Sequence, residues 1–134
     1  MRRLVIDASA LAAVMLEEPG FERVAERLHG ATVCAPPLLK FELASAAAKS
    51  AARESQHAPE IFARLIQTLN KGIVWHDVDA GDVAILAHMT GLTVYDASYL
   101  WLAGWLEADL ITLDRELASA TGLKAEEILR RSAV

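Results

Sequence analysis

The sequence has little cysteine: Cys34 is the single one among 134 residues. No internal disulfide can therefore close, and a reducing, cytoplasmic setting is expected. Long apolar runs are missing as well. No stretch of 18 apolar residues occurs, which excludes a membrane-spanning helix. The opening MRRLVIDAS breaks its apolar run at Asp7, too early for a secretory signal. Histidines are few, and His29, His57, His76 and His88 give no pair at the i,i+3 or i,i+4 spacing of a helical metal site. Basic residues are outnumbered, 13 against 18 acidic, for a net charge of -5. Broad, unspecific nucleic-acid binding usually leaves a basic footprint. That objection weakens only if several acids gather in one place around a metal. Linkers, low-complexity tracts and repeats of 20–50 residues are absent too, so residues 1–134 read as a single domain.

What the chain does have is apolar content, 54% of its residues. Disorder is excluded at that level, and the surplus asks for a third structural layer or a buried partner surface. Short strand-like runs stand at Leu4–Ile6, Thr32–Ala35, Ile73–Trp75 and Leu110–Leu113. Between them lie helical stretches: Ser9–Glu18, Phe21–Leu28, Leu38–Glu54, Pro59 to about Lys71, a helix capped by Asp79 and running to Thr90, Asp96–Ala108, and Asp114–Thr121. Residues Leu123–Val134 fit either a helix or a last edge strand. Strands alternating with helices imply a parallel sheet covered on both faces, a three-layer α/β/α sandwich. Such sheets work just beyond the carboxyl ends of their strands.

Four acids sit in apolar settings: Asp7 in LVIDASAL, Glu42 in LLKFELASAAA, Asp96 in LTVYDASYLWLAG and Asp114 in LITLDREL. The segments VIDASAL and VYDASYL are nearly a repeat. Taken singly, each Asp is a good helix N-cap, and Glu42 shares a solvated helical stripe with Lys49 and Arg53. Taken together they say more, because capping does not ask for Glu inside an Ala/Leu helix. Asp7 and Asp114 follow predicted strands, and Asp96 follows a short strand or extended loop, so their side chains can converge on one edge of the sheet. Two unit charges about 5 Å apart repel by roughly 3 kcal/mol at an effective dielectric near 20. Several such pairs burden a domain stable by about 5–15 kcal/mol in all, unless a cation joins them. All-oxygen ligands suit Mg²⁺, which activates water and steadies charge on a phosphate under in-line attack. Ser9 and Thr112 are placed to support the carboxylates. Lys40 and Arg115 adjoin the acids and are candidate phosphate contacts, with Arg2, Arg3, Lys49 and Arg53 as further cations for a groove. Ser98 has a local turn role, Cys34 is a small buried hydrophobe, and core packing is the simplest account of Trp101 and Trp105.

In order and spacing, VIDASAL, FELASA, VYDASYLWLA and LITLDREL, with Glu18-Pro19-Gly20 after the first helix, resemble the PIN-domain ribonucleases, and among them the VapC-type toxins of toxin–antitoxin pairs. The resemblance runs from Leu4 to about Leu117. It implies an α/β/α sandwich on a short parallel sheet and RNA phosphodiester cleavage dependent on Mg²⁺ or Mn²⁺. Asp7, Glu42, Asp96 and Asp114 fall on the family's catalytic, metal-binding acids, and Ser9 and Thr112 on its small polar residues. It also implies a homodimer, and an antitoxin whose tail crosses the active-site groove. Two other readings compete. A receiver-like phospho-acceptor domain wants an adjacent acid pair after the first strand and a lysine after a late one, and Asp7 is followed by Ala-Ser. A non-catalytic PIN-like scaffold would keep the fold without the chemistry.

Overall fold

The computed structural model describes residues 2–121. Leu123–Val134, left open between helix and edge strand, lie outside the described residues. The order is β1 (Arg3–Ile6), α1 (Ala8–Leu16), α2 (Phe21–Leu28), β2 (Thr32–Ala35), α3 (Leu38–Arg53), α4 (Ala58–Leu69), β3 (Val74–Trp75), α5 (Ala80–Thr90), α6 (Val94–Leu106), β4 (Asp109–Ile111) and α7 (Arg115–Ala120). A 3-10 turn at Ser55–His57, not foreseen, joins α3 to α4.

The four strands form one parallel sheet in the order β3-β2-β1-β4. The chain walks outward from β1 to β2 to β3, then returns to the other side of β1 for β4. Right-handed crossovers put helices before and after such a reversal on opposite faces. Accordingly α1 packs with α2, α3 and α4, while α6 packs with α5, α7, β1 and β4. The reversal lies between β1 and β4, where Val5 pairs with Leu110 and Ile6 with Ile111. A crevice opens at such a point beyond the strand carboxyl ends.

Coverage on both faces explains the composition. Leu4, Val5 and Ile6 have no exposure at all, and each contributes about 1.5–3 kcal/mol relative to an exposed position. Cys34 is buried in the same core. Helix α6 is apolar nearly all round because it is enclosed nearly all round: nine of its 13 residues are buried. Its start differs from the sequence expectation. Val94 and Tyr95 are its first turn rather than a strand or loop, and the extended residue is Thr93, whose hydroxyl accepts from the Asp96 amide at 3.1 Å. Asp96 therefore lies inside the helix. Gly91 ends α5 in the left-handed region (φ 75°), where the missing Cβ removes the penalty. Two glutamates, Glu17 and Glu107, close α1 and α6 in that region at φ 53° and 51°, which costs each about 1–2 kcal/mol.

Trp105 corrects another expectation. Trp101 is buried, but Trp105 is 61% exposed and stacks on it with ring centroids 5.3 Å apart. Near the C-terminal end of α6 its ring is left largely open to solvent. Arg2 and Arg3 stand at the amino edge of the sheet, opposite the acids. Their guanidinium groups donate to Arg27 O (2.9 Å) and Leu106 O (3.2 Å) near helix C-termini, a capping role rather than a groove-lining one. No helix among the described residues is long and apolar enough to cross a membrane.

Candidate functional site

Asp7 is the first residue beyond β1, and its amide still extends the sheet by donating to Ile111 O at 3.1 Å. The residue is only 3% exposed, and its carboxylate accepts three bonds. Ala10 N (3.0 Å) and Ser9 Oγ (2.8 Å) reach Oδ1, and Thr112 Oγ1 (2.5 Å) reaches Oδ2. Asp7 does cap α1, but a cap needs one oxygen and no burial. Thr112 arrives from just past β4, 105 residues away. Its hydroxyl also accepts from Asp114 N at 3.0 Å, and Ser9 Oγ accepts from Leu113 N at 3.0 Å. Ser9 and Thr112 thus tie the ends of β1 and β4 together around one buried charge.

Asp114 heads α7 as its N-cap, accepting from Glu116 N (2.9 Å) and Leu117 N (3.1 Å). Glu42 projects from the second turn of α3 and is half-buried, which removes it from the solvated-stripe reading. Its Oε1 accepts from the hydroxyl of Tyr99 at 2.5 Å. Tyr99 was not singled out from the sequence, although its place three residues after Asp96, one turn along the same helix face, was a usable signal. The two near-repeats are alike in letters only. In the first, Asp7 is the cap and Ser9 donates to it; in the second, Thr93 is the cap and Ser98 donates to its own helix at Tyr95 O (2.6 Å).

The acids feel one another. Burial pushes Asp7 above the ordinary carboxylate range, its three bonds pull it back, and the charge of Asp114 adds to the push. Glu42 is raised by burial, drawn down by the Tyr99 bond, and raised again by Asp96 and Asp7. Asp96 is raised by burial and then by Asp114 and Asp7, with Glu116 contributing. Burial and the Glu42 charge hold the Tyr99 phenol far above its normal range, so it stays a donor. Asp7, Glu42, Asp96 and Asp114 thus share one electrostatic neighbourhood, to which the structure adds Glu116. Their all-oxygen donor set and mutual repulsion fit a hard divalent cation. Among the described residues no three or more His, Cys, Asp or Glu side chains form a ready-made group that could hold a metal ion. A cation here would have to draw the side chains in.

An open cavity of about 420 Å³ runs from Glu42 between α1 and α3. Ala8, Ala12 and Ala46 give it small walls, and Lys49 and Arg53 line it with Glu18. The other candidate cations are placed differently. Lys40 holds its ammonium 4.7 Å from the centroid of the Trp75 ring, and Arg115 is an exposed residue opening α7.

Comparison with known proteins agrees with this architecture. The PIN domain family profile matches residues 4–123. Ribonuclease VapC12 of Mycobacterium tuberculosis is 31% identical over 123 residues, spanning 92% of this chain and 95% of that protein. Ribonuclease VapC3 of Pyrobaculum aerophilum is 33% identical over 127 residues, with 87% and 92% covered. The crystal structure of PAE2754 from the same organism superposes with a TM-score of 0.74 at 26% identity, covering 99% of this chain and 98% of that one. A three-layer fold on a parallel sheet that reverses between β1 and β4, together with these relatives, leads to one assignment: the chain belongs to the PIN-domain family, among its VapC-type members.

Proposed function

We propose that this chain is a Mg²⁺-dependent endoribonuclease, the toxin of a toxin–antitoxin pair. The observation that carries the reading is Asp7: a carboxylate at the switch between β1 and β4, held by three donors, and pushed upward first by its burial and then by the charge of Asp114. Fixing a buried charge beside other charges costs stability, and a bound cation offsets that cost. Asp7, Asp96 and Asp114 would hold one or two Mg²⁺, with Mn²⁺ as a substitute. Glu42 would ligate the ion or orient the attacking water. Ser9 and Thr112 hold the Asp7 carboxylate in one orientation. The cation, when bound, supplies an activated water and neutralises charge on the phosphate. Lys49 and Arg53 line the cavity that leaves Glu42 and suit the phosphates of a single strand, while Arg115 lies beside Asp114. The same cavity suits an antitoxin tail. Exposed Trp105 is an apolar surface for a homodimer. The relatives named as ribonucleases support the choice of RNA, and the single buried cysteine supports a cytoplasmic site of action.

The test is cleavage of total RNA by the purified chain with Mg²⁺, with Mn²⁺ and with excess chelator. Cleavage should need the ion and fall at least about a hundredfold in Asp96→Asn with the fold retained. Undiminished cutting in chelator, or in that variant, ends the proposal.

A further inference from the structure

We propose that Tyr99 is a positioning residue: its hydroxyl clamps Oε1 of Glu42 and so commits the other carboxylate oxygen to the cation site. The inference rests on the reading of the four acids as that site. Tyr99 is 1% exposed, and its hydroxyl lies 2.5 Å from Glu42 Oε1, across 57 residues of sequence. The bond links α3 and α6, which belong to opposite helical layers, across the carboxyl edge of the sheet between them. A glutamate on an exposed helix samples many rotamers, and ordering it carries an entropy cost. A buried phenol removes that freedom in advance, because turning Glu42 away would leave the phenol oxygen without its acceptor inside the protein. Asp96 and Tyr99 are i and i+3 on α6, so one turn of one helix delivers a carboxylate directly and orients a second from α3. Groups that hold the ligands of an ion in this way typically matter by about 10–100-fold in affinity or activity.

Tyr99→Phe deletes the donor and keeps the ring. The measurements are Mn²⁺ affinity, from the electron paramagnetic resonance signal of free Mn²⁺, and kcat and KM on a single-stranded RNA oligonucleotide. Both are made with Glu42 and with Glu42→Gln, with melting in chelator recorded alongside. Tyr99→Phe should weaken Mn²⁺ binding by about tenfold and lower kcat with KM nearly unchanged. In the Glu42→Gln background the same change should alter Mn²⁺ affinity by less than about twofold, because the oriented carboxylate is already gone. Replacing Tyr99 by p-aminophenylalanine, which restores a donor at the same point, should recover affinity to within about twofold. If Tyr99→Phe lowers the melting temperature but binds Mn²⁺ as the native chain does, or loses as much in the Glu42→Gln background, Tyr99 is a packing residue and the inference falls alone. If the native chain takes up no Mn²⁺, the cation site itself falls, and this inference with it.

Discussion

Thr112→Val is the cleanest probe of the buried charge. The two side chains are nearly the same shape, so the change removes a hydroxyl and little packing. Two bonds go with it: donation to Asp7 Oδ2 and acceptance from Asp114 N. A bond to a charged group contributes about 1.5–3 kcal/mol and a neutral one about 0.5–1.5. Because Thr112 is half-exposed and water can replace part of the loss, about 3 kcal/mol is expected at pH 8, or roughly 10 °C in Tm for a chain of this size. The two parts separate with pH. The Thr112 bond favours the charged form of Asp7, whose folded pKa burial has already raised. Removing the bond raises it further. The charge-dependent cost is therefore full above that folded value and fades as pH falls through it, when the carboxylate takes a proton. Once Asp7 is protonated, only the neutral bond to Asp114 N should remain, about 1 kcal/mol. Urea denaturation of both chains in chelator, from pH 8 to pH 4, reads this difference. A cost that is the same at every pH would mean that Thr112 supports the backbone and that its bond to Asp7 carries no charge-dependent stabilisation.

Three further outcomes follow from the same charges. In chelator the native chain should gain stability from these acids as pH falls through their raised folded values toward the ordinary carboxylate range. Asp7, Glu42 and Asp96 all have raised folded values, so their penalty is full above those values and is relieved on protonation; an Asp7→Asn chain with an unchanged pH slope of its urea midpoint would contradict this. Added Mg²⁺ should raise the melting temperature, by about 2.7 kcal/mol of stability at a hundred times its Kd, and an Asp96→Asn chain should gain less; equal gains would place the ion elsewhere. Lys49→Ala with Arg53→Ala should weaken single-stranded RNA binding and flatten its log–log salt dependence by about 1.4, near 0.7 for each phosphate no longer neutralised; an unaltered slope removes the cavity from the substrate path.

Much of this was legible in the letters. Phe21–Leu28 and Thr32–Ala35 match their expected bounds because Gly20 and Gly30 punctuate them sharply. The parallel sheet followed from alternation alone. The start of α6 was not legible, because Thr93-Val94-Tyr95 is rich in strand formers and the Thr93 cap outweighs that propensity. The Asp7–Ser9 bond was readable as local spacing. The Tyr99–Glu42 bond was legible by half: the place of Tyr99 one turn after Asp96 puts it beside an acid, but its acceptor arrives from the opposite layer. Arg2 and Arg3 misled for a directional reason: cations beside an acid in sequence stand a strand's length away when the strand runs between them.

The pairing of Asp7 with Thr112 also has a temporal side. The N-terminal strand lies inside the sheet, between β2 and β4, and the threonine that completes the Asp7 carboxylate comes 105 positions later. Ribosomes add about 5–20 residues per second, so a growing chain carries Asp7 for roughly 5–20 seconds before Thr112 is even made. Throughout that interval β1 has no β4 beside it and the crevice has one wall. If the finished molecule cuts RNA, its site stays incomplete while the chain is being made, and a protein that restrains it has at least that interval in which to arrive.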